Sequence, residues 1–128
     1  MLAPGLLTNY HYNMTNIGTY GERLAADYLR NHGYEIITTN WHCPRGEIDI
    51  VARKGDMLVF VEVKTRRTKN TEAAFASVTP NKRERLVSSA YLYLDEHAES
   101  QPAWRIDVIG IALTHPPVIE HVEDALGW

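Results

Sequence analysis

The pattern of apolar and polar positions divides the chain into two helical segments and several strand-like segments. Over residues 18–31, apolar side chains recur at helical spacing on one side, and Gly33 follows where a helix commonly ends. A second helical pattern begins after Thr79 and Pro80, which are typical of an N-cap and a first helical position. This pattern continues to about His97. We therefore predict one helix in each half of the chain.

Between the predicted helices the period changes to that of β-strands. Residues 34–41, 47–52 and 57–65 are rich in β-branched and aromatic side chains, and a turn-like Arg-Lys-Gly-Asp segment separates the last two. We predict a fourth strand over residues 104–113 and a short fifth strand over 118–122. The order of elements predicts an α/β fold with a mixed central sheet of about five strands flanked by helices.

The first 17 residues follow neither period. We expect residues 1–17 to form a poorly ordered extension and residues 18–128 to form a single domain, because a chain of 128 residues rarely holds two cores. No apolar run approaches the roughly 20 residues of a membrane span, and no basic residue precedes Arg23. Cys43 is the only cysteine, so it forms no internal disulfide. We expect a cytoplasmic protein with no membrane partner.

The net charge of −3 conceals a strong asymmetry along the chain. Residues 53–85 hold nine basic against four acidic side chains, for +5, whereas residues 95–128 hold one basic against seven acidic, for −6. A basic middle third can face a polyanion such as nucleic acid. The alternative is an ordinary solvated surface.

The predicted hairpin places charged residues in strands that otherwise resemble buried core. A two-residue or four-residue loop would bring Asp49 opposite Glu62 and Glu47 opposite Lys64, with all four on one face. A three-residue loop would shift the register by one and separate them. Since charged residues are rarely buried without a partner or a ligand, this group is the candidate site.

Two opposed carboxylates repel each other unless a counter-charge lies between them. Oxygen ligands without Cys or His nearby suit Mg²⁺ or Mn²⁺ rather than zinc. Lys64 would then hold an attacking water or stabilise charge on a phosphate. The alternative is a salt-bridge cluster in which Glu47 pairs with Lys64, and the spacing alone leaves both interpretations open.

Further candidate residues flank the hairpin. Glu22 lies on the apolar side of the first predicted helix and would point toward the sheet, although a carboxylate in a first turn also favours the helix dipole while exposed to water. Basic residues follow the third strand and occupy the start of the second helix, where they suit contacts with a nucleic-acid backbone. These are Arg66, Arg67, Lys69, Lys82, Arg83 and Arg85.

Four motifs in a fixed order resemble the bacterial YraN-like family of predicted endonucleases, over about residues 18–125. They are Gly21-Glu22, Gly46-Glu47-Ile48-Asp49, Val61-Glu62-Val63-Lys64-Thr65 and Val78-Thr79-Pro80-Asn81-Lys82. That family lies within the PD-(D/E)xK nuclease superfamily and is distantly similar to archaeal Holliday junction resolvases. The resemblance implies a restriction-endonuclease-like core.

The resemblance also implies roles for individual residues. Asp49 and Glu62 would be metal ligands together with the main-chain carbonyl of Val63, Lys64 would be the catalytic lysine, and Glu22 would be the acidic residue of the helix. The implied cofactor is Mg²⁺ or Mn²⁺. The implied partner is DNA, with branched DNA among the substrates to consider, and a resolvase-like role would require a homodimer.

Two other classes of function remain open at this point. A non-catalytic nucleic-acid-binding module would use the basic segment alone, with the hairpin carboxylates in structural ion pairs. An interaction protein would instead use the acidic C-terminal third. A metal-dependent endonuclease acting on DNA is the function that the motifs favour.

Overall fold

The computed structural model describes residues 16–67, 78–97 and 102–126, so residues 1–15 of the predicted extension and Lys69 lie outside the described residues. The described chain forms two helices and five strands in the predicted order. They are α1 (Ile17–Asn31), β1 (Glu35–Cys43), β2 (Gly46–Lys54), β3 (Met57–Arg66), α2 (Pro80–His97), β4 (Trp104–Ala112) and β5 (Val118–Val122). The predicted α/β fold with a mixed five-stranded sheet is confirmed.

Local capping residues set the ends of both helices. The Asn16 side chain accepts a hydrogen bond from the N–H of Thr19 at 3.4 Å, so α1 begins one residue earlier than predicted. Gly33 follows α1 with a φ of 85°, a left-handed conformation that glycine adopts without strain. At α2, Thr79 Oγ1 accepts the N–H of Lys82 at 3.3 Å, as its position predicts.

The five strands are arranged in chain order across one sheet. β3 and β4 are parallel and the other neighbours are antiparallel, so α2 lies on the crossover between β3 and β4. In the hairpin, Lys54 pairs with Met57 and Ile50 pairs with Val61. This register is the one that the sequence predicts for a loop of Gly55 and Asp56.

Each face of the sheet is covered by one helix. The α1 side of the core contains Ala25, Ala26, Leu29, Tyr34, Ile50, Ala52, Val59, Val61, Val63, Ile109 and Ile111. The α2 side contains Ile48, Val51, Leu58, Phe60, Leu86, Ala90, Tyr93, Ile106 and Leu126. Burial of each large apolar side chain contributes about 1.5–3 kcal/mol, and these two clusters hold the helices against the sheet. Over the described ranges, neither helix is long and apolar enough to span a membrane.

Strands β2 and β3 separate from each other at one end of the sheet. Pairing of β2 with β3 ends at Ile50 and Val61, whereas β2 stays paired with β1 to its first residue and β3 stays paired with β4 to its last. We call the resulting opening, between residues 46–49 of β2 and 62–66 of β3, the fork. Asp49 and Glu62 are the first residues of the two strands beyond the last pair.

Candidate active site

Asp49 lies in the fork with its carboxyl group partly buried. Its Oδ2 accepts a hydrogen bond from the N–H of Val63 at 2.8 Å. Burial and the charge and hydrogen bond of the adjacent Glu62 carboxyl raise the pKa of Asp49 to about 9, although the Val63 N–H opposes this rise. The carboxyl groups of Asp49 and Glu62 are therefore in contact across the fork.

Lys64 lies beside this carboxyl pair. Its Nζ is 3.0 Å from Glu62 Oε2, and the two side chains are only 17% and 12% exposed. Burial lowers the pKa of Lys64, but the hydrogen bond and charge of Glu62 outweigh burial, so its pKa lies above the usual value. The fork thus holds a charged ammonium group next to two carboxyl groups.

Glu47 does not join Lys64 as the uninterrupted hairpin predicted. The ladder between β2 and β3 ends before these residues, so they do not pair across it. Ile48 packs on the α2 side and Ile50 on the α1 side, which means that the alternation of faces is broken at Asp49. The expectation that all four charged residues share one face therefore does not hold.

Helix α1 brings Glu22 to the fork through a close contact with β3. A Cβ atom at Gly21 would lie 1.8 Å from Thr65 Oγ1, so only glycine permits this approach. Burial raises the pKa of Glu22, a hydrogen bond from Asn40 lowers it, and the charges of Glu47 and Glu62 raise it further. The Glu22 carboxyl is thus partly buried and within electrostatic reach of the carboxyl groups of β2 and β3.

Asn40 is a site residue that the sequence interpretation missed. Its Nδ2 donates to Glu22 Oε1 at 2.7 Å and to Glu47 Oε1 at 3.0 Å, so one amide joins two carboxylates. Asn40 adopts a φ of 51°, which asparagine tolerates better than most residues. An asparagine inside a β-branched and aromatic segment is the signal that could have drawn attention to it.

Two of the predicted nucleic-acid-binding residues lie at the fork. Lys82, near the start of α2, approaches Lys64, and the contact and the charge of Lys64 lower the pKa of Lys82. The charge of Arg66 acts on Lys82 in the same direction. Two ammonium groups, those of Lys64 and Lys82, therefore lie within electrostatic reach of the Glu62 carboxylate.

The other predicted binding residues are placed differently. Arg83 donates a hydrogen bond to the carbonyl of Leu126, which ties α2 to the C-terminal part of the chain. Arg67 and Arg85 are exposed. Lys69 lies outside the described residues.

The fork offers oxygen donors that a divalent cation could use. In the described ranges, no group of three or more His, Cys, Asp and Glu side chains is arranged to hold a metal ion. The candidate set therefore consists of two carboxyl groups, from Asp49 and Glu62, and one main-chain carbonyl. The N–H and C=O of a strand residue point to the same side, and the Val63 N–H points to Asp49, so its carbonyl also faces the fork. Three oxygen atoms that leave space for water fit Mg²⁺ or Mn²⁺.

Comparisons with known proteins identify related sequences over most of the chain. A family described as "Uncharacterised protein family UPF0102" matches residues 21–111, which include the fork and Glu22. A UPF0102 protein of Dehalococcoides mccartyi is 44% identical over 117 residues, which cover 91% of this chain and 97% of the relative. One from Streptomyces griseus is 48% identical over 108 residues, with 82% and 91% covered, and one from Chloroflexus aurantiacus is 45% identical over 114 residues, with 87% and 92% covered.

Proposed function

The chain belongs to the UPF0102 (YraN) family, and we propose that it is a metal-dependent endonuclease that hydrolyses phosphodiester bonds in DNA. The observation that carries the proposal is the contact between the Asp49 and Glu62 carboxyl groups beside Lys64. Burial and the charge of Glu62 oppose ionisation of Asp49, which raises its pKa, and a divalent cation would stabilise both groups as carboxylates. The same three side chains supply the groups that phosphodiester hydrolysis requires.

Asp49, Glu62 and the carbonyl of Val63 are the groups that would hold Mg²⁺ or Mn²⁺. Such an ion would supply positive charge that polarises a phosphate and promotes deprotonation of water. The Val63 N–H fixes Asp49 by a hydrogen bond at 2.8 Å, so the orientation of this carboxylate is set before any ligand binds. This preorganisation favours a catalytic role over a flexible surface cluster.

Lys64 and Glu22 act on the reacting groups from two directions. The Lys64 ammonium, held 3.0 Å from Glu62, donates to an attacking water or to a phosphate oxygen that gains charge in the transition state. Glu22 faces the fork from α1 and is oriented by Asn40, so it accepts a hydrogen bond from water on that side. Asn40 is a positioning residue in this arrangement.

The charge around the fork suits a DNA substrate. Lys82 lies within electrostatic reach of Glu62 and Arg66, and these two basic residues would contact phosphates on one side of the cleaved bond. A chromosomal substrate would place the protein in the cytoplasm. Cleavage of a four-way junction would require two copies related by symmetry.

A non-catalytic nucleic-acid-binding module is the second candidate. It is favoured by the ion pair between Lys64 and Glu62, which neutralises one carboxylate without any cation. In that case the basic residues would bind DNA and the fork would have only a structural role. The two candidates differ in their response to metal ions.

The test compares cleavage of labelled linear, flapped and four-way DNA in EDTA, Mg²⁺ or Mn²⁺. We expect the parent protein to cut at least one substrate only with metal, and Asp49→Asn to lose cleavage. Asp56→Asn is the matched control, because Asp56 is exposed in the hairpin turn at the opposite end of β2. Binding without cleavage under every condition would favour the non-catalytic module and overturn the proposal.

A thermal measurement gives an independent result. Mn²⁺ should raise the melting temperature of the parent protein, because an ion that binds only the folded state stabilises it. The increase should be absent in Asp49→Asn and retained in Asp56→Asn. Equal increases in all three proteins would place metal binding outside the fork.

A further inference from the structure

A groove of about 300 Å³ lies between α1 and β1 and is continuous with the candidate active site. Glu22 and Asn40, which lie at the fork, also line this groove. The remaining polar lining comes from Thr19, Arg23, Asp27, Arg30 and Thr39. The groove lies on the α1 side of the sheet, whereas Lys82 lies on the α2 helix.

The groove offers both hydrogen-bond donors and acceptors. Arg30 and Asp27 form an exposed ion pair at 3.3 Å, so their charges largely cancel. Arg23 is exposed and forms no ion pair with another described residue. A site for phosphates alone would be uniformly basic, whereas guanidinium, carboxylate, amide and hydroxyl groups together match the edge of a nucleobase.

We propose that this groove binds one unpaired nucleoside of a nucleic acid, with its base edge on the mixed polar wall and its phosphate on Arg23. This inference rests on the proposed function and narrows the substrate to DNA that has an unpaired nucleotide beside the cleaved bond. The volume lies at the lower end of the range for small-molecule sites and suits one nucleoside rather than a base pair. A base presents its Watson–Crick edge to a protein only when it is unpaired.

The position of the groove also supports binding of a nucleotide next to the cleaved bond. Because Glu22 lines the groove and lies within electrostatic reach of Glu62 in the fork, a nucleotide in the groove would adjoin the phosphate at the carboxyl pair. Lys82 and Arg66 would hold the chain of phosphates on the other side of that bond. A strand could then pass from the basic side through the fork and into the groove.

The test measures binding in EDTA, where hydrolysis does not occur, by fluorescence anisotropy. The two probes are a fully paired duplex and the same duplex with a short single-stranded flap. The variants are Arg23→Ala and Thr39→Val, which remove one groove donor each from exposed positions. Arg53→Ala is the matched control, since Arg53 is an exposed arginine at the hairpin end of β2.

We expect the parent protein to bind the flapped probe more tightly than the duplex. Arg23→Ala should weaken binding of the flapped probe by about tenfold while changing duplex affinity by about twofold or less. Thr39→Val should act in the same direction with a smaller effect, and Arg53→Ala should preserve the preference. Alanine favours helix, so Arg23→Ala should fold normally, which its melting temperature will confirm.

Each other outcome overturns a specific statement. Equal weakening of both probes by Arg23→Ala would show a plain phosphate contact and overturn the groove inference. Equal affinity of the parent protein for the flapped probe and the duplex would also overturn the groove inference. Preference for the flapped probe without metal-dependent cleavage would overturn the nuclease proposal and keep the groove, and failure to bind either probe would overturn both.

Discussion

Asp49 accepts a hydrogen bond from the main-chain N–H of Val63 at 2.8 Å, at the point where the ladder between β2 and β3 stops. The Asp49 carboxyl oxygen accepts the hydrogen bond that a main-chain carbonyl of β2 would accept from the Val63 N–H if the ladder continued. The carboxylate is thereby held between the separating strands, and the Val63 carbonyl faces the same opening. One contact thus places two of the three candidate metal-binding oxygens.

Lys64→Ala should abolish metal-dependent cleavage while leaving DNA binding largely intact. The ammonium acts on charge that develops in the transition state, and loss of one such group commonly costs about 10²–10³ in rate. Lys54→Ala is the control, because Lys54 is an exposed lysine at the turn end of the hairpin, at the opposite end of β2 from the fork. Cleavage by Lys64→Ala at the parental rate would contradict the assigned role.

The double variant Arg66→Ala/Lys82→Ala should weaken DNA binding to a similar extent for all sequences. Each lost phosphate contact reduces the salt dependence of the binding constant by about 0.9 in the logarithmic slope. Arg53→Ala/Lys54→Ala removes the same charge from the opposite end of β2 and should leave the slope nearly unchanged. Titrations at several salt concentrations measure this difference, and identical slopes for the two double variants would contradict the proposed interface.

Gly21→Ala should destabilise the fold by about 1–3 kcal/mol, because the new methyl group would overlap the Thr65 side chain. Gly18→Ala is the matched control in the same helix. A Cβ at Gly18 meets no atom within 4 Å, and alanine should stabilise the helix there by up to about 1 kcal/mol. Denaturant unfolding of both variants measures whether the free energy of unfolding falls for Gly21→Ala and rises for Gly18→Ala. Equal changes in the two variants would argue against the close contact between α1 and β3.

Asp107 should contribute stability that is lost in acid. It is fully buried, and although burial raises its pKa, hydrogen bonds from His121, Arg105 and the N–H of Asp124 hold the pKa of Asp107 below its usual value of 3.8. A lowered pKa in the folded state means that the contribution is complete above about pH 4 and declines as the pH falls through the folded value.

Asp107→Asn should therefore cost roughly 3 kcal/mol at neutral pH, because it removes the buried partner of Arg105 and leaves only the exposed Glu123 carboxylate, at 3.6 Å, to pair with that charge. It should also flatten the loss of stability below pH 4, whereas Asp56→Asn should do neither. Unfolding free energies measured between pH 3 and pH 7 for the three proteins test both statements. A constant difference between parent and Asp107→Asn over this range would contradict the lowered pKa.

Much of the architecture is determined by short-range features of the sequence. Thr79 and Pro80 define the start of α2, and the Gly55-Asp56 turn sets the register that brings Asp49 next to Glu62. These features act between residues that are close in the chain, so the two carboxyl groups and Lys64 could be predicted to lie together. The same reasoning failed for Glu47, because an alternating pattern does not reveal where two strands separate.

Only the tertiary structure decided which residues surround the carboxyl groups of Asp49 and Glu62. Asn40 joins Glu22 to Glu47 through a left-handed backbone conformation, and Gly21 lets α1 approach β3 closely enough to bring Glu22 to the fork. Arg83 belongs to the same basic segment as Lys82 but is held by a carbonyl near the C-terminus. These relationships join residues from separate elements, and they depend on how the helices pack on the two faces of the sheet, which neither periodicity nor capping signals encode.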